Sequence, residues 1–176
     1  MNENTLVFPL GKGKLMLGLA GSIMFVLLGV GLIFVVAPDQ TTFHPMLVKG
    51  IGAAGMLFFG ATGVFSFRKM FDPKPGLILD ADGITDHTNA SSIGLIEWRD
   101  ITAVRVSQVM STRFLLIDVQ DPEKYVNKAE NAVQSRLMRA NLGMYGTPLS
   151  ITSNSLKADF NTVEAAVREF FWRNKP

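Results

Sequence analysis

Cysteine is absent from this 176-residue chain, which excludes disulfides, thiolate metal sites and cysteine nucleophiles. Histidine occurs only twice, as His44 and His87. No GxSxG, P-loop or Rossmann fingerprint is present, so the common nucleophile and phosphate motifs are missing. Acidic residues are scattered, with no pair at a spacing that suits acid–base work. Asp86-His87 is a neighbouring pair without an obvious nucleophile and reads as a polar strand end. Asp80 and Asp82 resemble the start of a calcium loop, but the remaining acidic ligands and the closing Glu are missing, so a turn is the better reading. The chain is not expected to be an enzyme, and it calls for no cofactor and no metal.

Charge is also unevenly missing. Up to Phe67 the chain is almost uncharged; beyond it the composition is that of an ordinary soluble domain. Residues 71–176 hold 12 Lys+Arg against 13 Asp+Glu, a balance of −1, and residues 1–70 hold 5 against 2, a balance of +3. The sequence pI near 9.0 therefore belongs to the flanks of the apolar segments and not to a nucleic-acid-facing surface.

What is present first is apolar length. Leu15–Ala37 runs 23 residues without a charge, about 34 Å as a helix, enough to span a hydrocarbon core of roughly 30 Å. A cleaved signal peptide is the rival, but the apolar stretch is too long and Pro38 would follow the cleaved bond. A second run follows at Met46–Phe67, with Lys49 able to snorkel. The short polar "PDQTTFHP" between them has prolines that end one helix and start the next. The pair is expected to be a transmembrane hairpin over about 15–37 and 46–67. Lys12 and Lys14 precede it and Arg68, Lys69 and Lys74 follow, which predicts both termini on the cytoplasmic side of a plasma membrane. Residues 1–14 read as a cytoplasmic tail. Gly18/Ser22 and Gly50/Ala54 have small-xxx-small spacing, suited to packing of the two helices on each other or to a homo-oligomer or partner helix. No ionisable residue lies deep in either span, which argues against a channel or transporter.

After "FDPKPG" (71–76), read as a stiff linker, the chain turns β-rich. "LILDADGIT" is a hairpin signal, "SSIGLIEW" a strand ending near Trp98, and "TAVRVSQV", "TRFLLIDV" and "TPLSITS" are further strands. Residues 121–146 favour helix, with Gly143 as its stop and a thin apolar seam of Tyr125, Ala129, Val133, Leu137 and Ala140. Lys124, Lys128, Arg136 and Arg139 surround that seam. The segment is expected to pack on the sheet or a partner, with the inner leaflet as the alternative. The end of the chain reads as an amphipathic helix burying Phe160, Val163, Val167, Phe170 and Phe171, capped by Asn161 with Glu164.

Short strands followed by one amphipathic helix is an order similar to that of pleckstrin-homology-like (PH-like) domains. "GLILDADGIT…GLIEWRDITAVRV" resembles the opening hairpin and third strand of the bacterial PH-like domains, where a "hydrophobic-x-W-x-x-I" segment leads into the next strand. Two N-terminal membrane helices joined to such a domain resemble a group of bacterial membrane proteins of uncharacterised function. The resemblance covers about Gly76–Val106 and the terminal helix, and residues 124–146 depart from it as an insertion. It implies an α+β membrane protein: a transmembrane hairpin followed by a PH-like barrel over 77–176, with an inserted helix and a C-terminal capping helix. In this frame Trp98 and Ile101 turn inward, and "EWRDI" is scaffold. The function implied is a membrane-anchored binding module for a protein partner or for self-association; the alternative is binding of anionic lipid headgroups. Arg105, Arg113, Lys124, Lys128, Arg136 and Arg139 are the candidate surface for either.

Overall fold

A computed structural model describes residues 5–39 and 41–174. Residues 1–4, 40 and 175–176, on which parts of the expected tail, the expected interhelical connection and the expected terminal helix fall, lie outside the described residues. The chain is α+β, with two long apolar helices and two antiparallel sheets. It divides into two units. One is residues 12–72; the other joins the residues up to Gly11 with those from Pro73 onward.

The helical unit consists of α1 (Lys12–Asp39) and α2 (Pro45–Met70), both long and apolar enough to cross a membrane. α1 carries a π-helical stretch at Leu32–Val36. α2 begins with Pro45, and the His44 ring accepts the Met46 N–H at 3.3 Å, a side-chain cap with proline at the first helical position. The helices touch along small residues. A Cβ added at Gly29 would lie 2.9 Å from the Gly52 carbonyl oxygen, and one at Gly52 would lie 2.9 Å from that of Gly29. Only glycine permits that approach. Ser22 faces Gly63, and Gly18 faces Ser66. The Gly18/Ser22 pair is thus spent within the hairpin. Gly50 has open space around it and Ala54 is exposed, so the Gly50/Ala54 pair is not part of the seam.

Among the described residues the other unit holds seven strands. β1 (Leu6–Phe8), β2 (Leu77–Leu79), β3 (Gly83–Asp86) and β4 (Gly94–Glu97) form a four-stranded antiparallel sheet in sequence order. β5 (Ile101–Val109), β6 (Thr112–Val119) and β7 (Leu149–Ile151) form a three-stranded antiparallel sheet. Three helices follow the strands' course: α3 (Pro122–Val126), α4 (Ala132–Tyr145) and α5 (Phe160–Asn174). The two sheets and α5 share one core, in which Leu77, Leu79, Ile84, Leu115, Ile117 and Val167 are fully buried.

Strand β1 corrects the sequence reading. Within the expected tail of residues 1–14, Leu6, Val7 and Phe8 pair with Leu79, Ile78 and Leu77, and Phe8 is buried. Beyond β1, Leu10 bridges to Leu156, the Gly11 N–H donates to the Ser155 carbonyl at 2.8 Å, and the Lys157 N–H donates to the Pro9 carbonyl at 3.0 Å. The first strand therefore ties the four-stranded sheet to the segment after β7. The domain does not begin at Leu77, and β1 with β2 is a hairpin into which both long helices are inserted. Nor is 71–76 a free spacer. The Gly76 N–H donates to the Phe8 carbonyl at 3.1 Å, and its carbonyl accepts the His87 N–H at 2.8 Å.

The expected insertion is two helices instead of one. Asp121 caps α3 and Asn131 caps α4, each side chain accepting a backbone N–H near the helix start. The stop is Gly146, at φ 78°, a left-handed conformation that glycine adopts without strain; Gly143 lies inside the helix. The apolar seam is also corrected. α4 buries Gln134 and Met138, while Val133, Leu137 and Ala140 face outward. In α5 the five aromatic and valine positions are buried as expected. Its start is held by Asp159, whose carboxylate accepts the Thr162 N–H at 3.0 Å and hydroxyl at 2.8 Å; Asn161 instead accepts from Arg113 at 2.9 Å.

Candidate functional site

"EWRDI" forms the corner between the two sheets. Glu97 ends β4, Trp98–Asp100 make one 3-10 turn, and Ile101 opens β5. Trp98 is buried, its indole N–H donates to the Asp80 carbonyl at 2.8 Å, and its ring stacks on Phe170 of α5 with centroids 6.4 Å apart. The Asp100 carboxylate accepts from Lys124 at 2.5 Å and from the buried Tyr125 hydroxyl at 2.6 Å. The corner thereby fastens α3 to the sheets.

Burial works to raise the Asp100 carboxyl, but the hydrogen bonds from Lys124 and Tyr125 outweigh it and hold the group below the usual carboxylate range. Burial, followed by the bond to Asp100, pushes the Tyr125 phenol up. The sign of each is definite. Asp100 binds protons more readily unfolded than folded, so its contribution is present above about pH 4 and is lost as pH falls through the lowered folded value. Tyr125 keeps its proton better when folded, so its contribution holds below about pH 10 and disappears above it. Unfolding midpoints in denaturant, taken across pH, are expected to fall on both sides. Tyr125→Phe is expected to flatten the alkaline side; an unchanged alkaline slope would disprove the assignment.

A second polar cluster occupies the β3–β4 connection. Asp86 is buried and accepts the Thr88 N–H at 2.8 Å and the Ser92 hydroxyl at 2.6 Å. Asn89 donates to the Ser150 carbonyl at 2.6 Å and accepts the Ser91 hydroxyl at 2.6 Å. Gln134 of α4 donates to the Ser92 carbonyl at 2.5 Å. Among the described residues no buried side-chain polar atom lacks a partner, so this cluster is an internal brace and not an open binding site. The turn at Asp80 is similar: its carboxylate accepts the N–H groups of Asp82 and Gly83 at 3.0 and 3.1 Å, which spends it locally. His87 lies beside Gly94 at the end of β3. Among the described residues no three His, Asp or Glu side chains gather in a way that could hold a metal ion.

Of the six basic candidates, Lys124 and Lys128 meet over the Tyr125 ring. Arg105 is paired with Asp118 and reaches the Tyr145 carbonyl at 2.8 Å. Arg113 lies 4.3 Å from the Phe160 ring centre. Lys124 is held by Asp100, and Lys128 sits 4.8 Å over the Tyr125 ring. Arg139 pairs with Glu123 at 3.1 Å. Arg136 is exposed on the outer side of α4. A cleft of 480 Å³ beside the corner is lined by Asp82, Glu97 and Arg99, along with Ala81, Leu95 and Asn174. Arg99 is tied to Glu97, leaving a carboxylate surplus that disfavours an anionic headgroup.

The open features are apolar instead. The β5–β6 hairpin turns through Met110 and Ser111, between the paired Val109 and Thr112. Met110 has φ 54° and is 92% exposed. Val106 and Val109 are also exposed. Among the described residues β5 pairs with β6 alone, and its free edge is covered at Val104, whose carbonyl accepts from Arg168 at 3.2 Å. Sequence reading missed this edge because alternation identifies a strand without telling which strand ends a sheet. No family model matches the chain, and no curated protein or solved structure matches it either.

Proposed function

We propose that the chain is a membrane-anchored PH-like module whose β5–β6 edge docks a protein partner at the cytoplasmic membrane face. A four-stranded and a three-stranded antiparallel sheet, followed by a helix over the core, support the PH-like reading. The pairing of β1 with β2 supports the membrane hairpin. It requires Gly11 and Pro73 to lie on one side of any bilayer, and two crossings satisfy that. Lys12 and Lys14 in the first turn of α1, with Arg68 and Lys69 at the end of α2, favour the cytoplasm for that side.

The observation that carries the docking reading is the exposed apolar hairpin end. A bulky methionine at positive φ is disfavoured relative to Asn or Gly, and exposed Val, Val and Met on an unpaired edge are costly in an isolated soluble surface. Strand addition to such an edge supplies backbone hydrogen bonds to a partner, with the side chains setting its identity. The absence of cysteine makes a clean test available. Met110→Cys in the full-length protein, carrying a photoreactive group and activated in its own membranes, is expected to give a defined adduct: twice the chain's mass for self-association, another mass for a different partner. Val106→Asp with Val109→Asp is expected to abolish it. No adduct at native abundance, with the label freely open to bulky water-soluble reagents, would sink the proposal.

A further inference from the structure

We infer that the outer face of α4 rests on the surface of an anionic bilayer. The inference rests on the reading of α1 and α2 as membrane-spanning. Val133, Leu137, Ala140 and Met144 recur at four-, three- and four-residue intervals and form one exposed stripe; Val133 and Met144 are 66% and 65% exposed. Arg136 flanks that stripe and enters no hydrogen bond or ion pair among the described residues. Arg139 is held only by a half-exposed pair with Glu123, of the kind that contributes little.

Charge selects the occupant. Residues 132–145 contain two arginines and no acidic residue. A second copy meeting α4 face to face would set arginine against arginine, whereas an anionic leaflet complements both the cations and the apolar stripe. Location points the same way. The Gly11 N–H, where the chain leaves for α1, donates to the Ser155 carbonyl at 2.8 Å. The Ser155 hydroxyl donates to the Thr88 carbonyl at 2.6 Å. Thr88 joins Asn89 and Ser91, and Ser91 meets Asn141 on the inner side of α4 at 3.4 Å. These bonds connect the polar surface beneath α4 to Gly11, the last residue before α1. Four apolar side chains and two arginines would be a weak membrane anchor alone; a tether raises their effective concentration enough to matter.

The test uses the full-length chain in bilayers with 30% anionic lipid, or in purely zwitterionic ones, with single spin labels at Met144→Cys, Val133→Cys, Val64→Cys and Glu169→Cys. Collision with oxygen reports lipid, and collision with a nickel chelate reports water. The α4 labels are expected to be oxygen-rich in anionic bilayers, with Val64 oxygen-rich throughout and Glu169 in water. Arg136→Glu is expected to lower the docked-to-free ratio roughly thirtyfold. If Val64 is in lipid while Met144 stays open to nickel in anionic bilayers, docking is overturned and the spanning reading stands. If Val64 is itself open to nickel, the spanning reading fails and takes docking with it. If Met144 is shielded from both reagents, a protein chain covers α4 and the bilayer assignment is wrong.

Discussion

Replacing residues 12–72 with a short Gly/Ser bridge between Gly11 and Pro73 is expected to give a soluble, cooperatively folded domain, while residues 73–176 alone are not. The fragment lacks β1. It would expose β2 as a new edge, leave the Gly76 N–H and the Ser155 carbonyl without their backbone partners, and strip Phe8 from Leu77 and Leu156 from Leu10. Loss of a buried phenylalanine costs about 3–5 kcal/mol, and the broken ladder adds about 1 kcal/mol for each hydrogen bond. Against a total stability of roughly 5–15 kcal/mol for a domain of this kind, that is most or all of it. The bridge can be short because β1 and β2 are adjacent antiparallel strands. Thermal unfolding followed by circular dichroism distinguishes the two proteins. A fragment melting as cooperatively as the bridged domain, at the same temperature, would mean that β1 is dispensable.

Trp98→Ala is expected to be the most damaging single substitution in the corner, at about 3–5 kcal/mol. The indole is 3% exposed, and its removal opens a void under Phe170 while leaving the Asp80 carbonyl without its donor. Trp98→Phe separates the two effects. It retains most of the burial and loses the hydrogen bond, for about 1–2 kcal/mol. Both are measurable as shifts of the denaturant midpoint in the bridged domain. Arg99→Ala is the control: the guanidinium is exposed and tied only to its neighbour Glu97, so the midpoint should move little. If Arg99→Ala destabilised as much as Trp98→Ala, the corner would owe its strength to charge and not to packing.

The sequence pattern was legible where periodicity was long or punctuation strong. Two long apolar runs announced α1 and α2, alternation announced β5 and β6, and the spacing of Phe160, Val163, Val167 and Phe170 announced the buried face of α5. β1 was hidden by its brevity. "TLVFP" holds only three strand residues before a proline, and its partner lies some 70 positions later in sequence, beyond any local window. α4 misled for a different reason. Its outward stripe has the composition of a core face, whereas its inner face is built from Gln134, Met138 and Asn141, because the surface beneath it is the polar β3–β4 connection. Apolar spacing locates a helix's distinctive side without saying whether that side meets the protein. The candidate cations were individually visible, but their pairing with Asp118, Asp100 and Glu123 depended on contacts across the fold.

The insertion of two helices between β1 and β2 sets the order of events during synthesis. β1 leaves the ribosome before α1 and α2 and must wait, unpaired, while both apolar helices are made. Only if both cross, or neither does, do Gly11 and Pro73 end in the same compartment. A chain that threaded one helix and not the other would leave Leu6–Phe8 on the far side, and the four-stranded sheet would lack its first strand, with β2 exposed. If the two helices cross a membrane, completion of the sheet requires that neither be left behind alone, and a half-inserted chain would present a raw strand edge to proteases and chaperones.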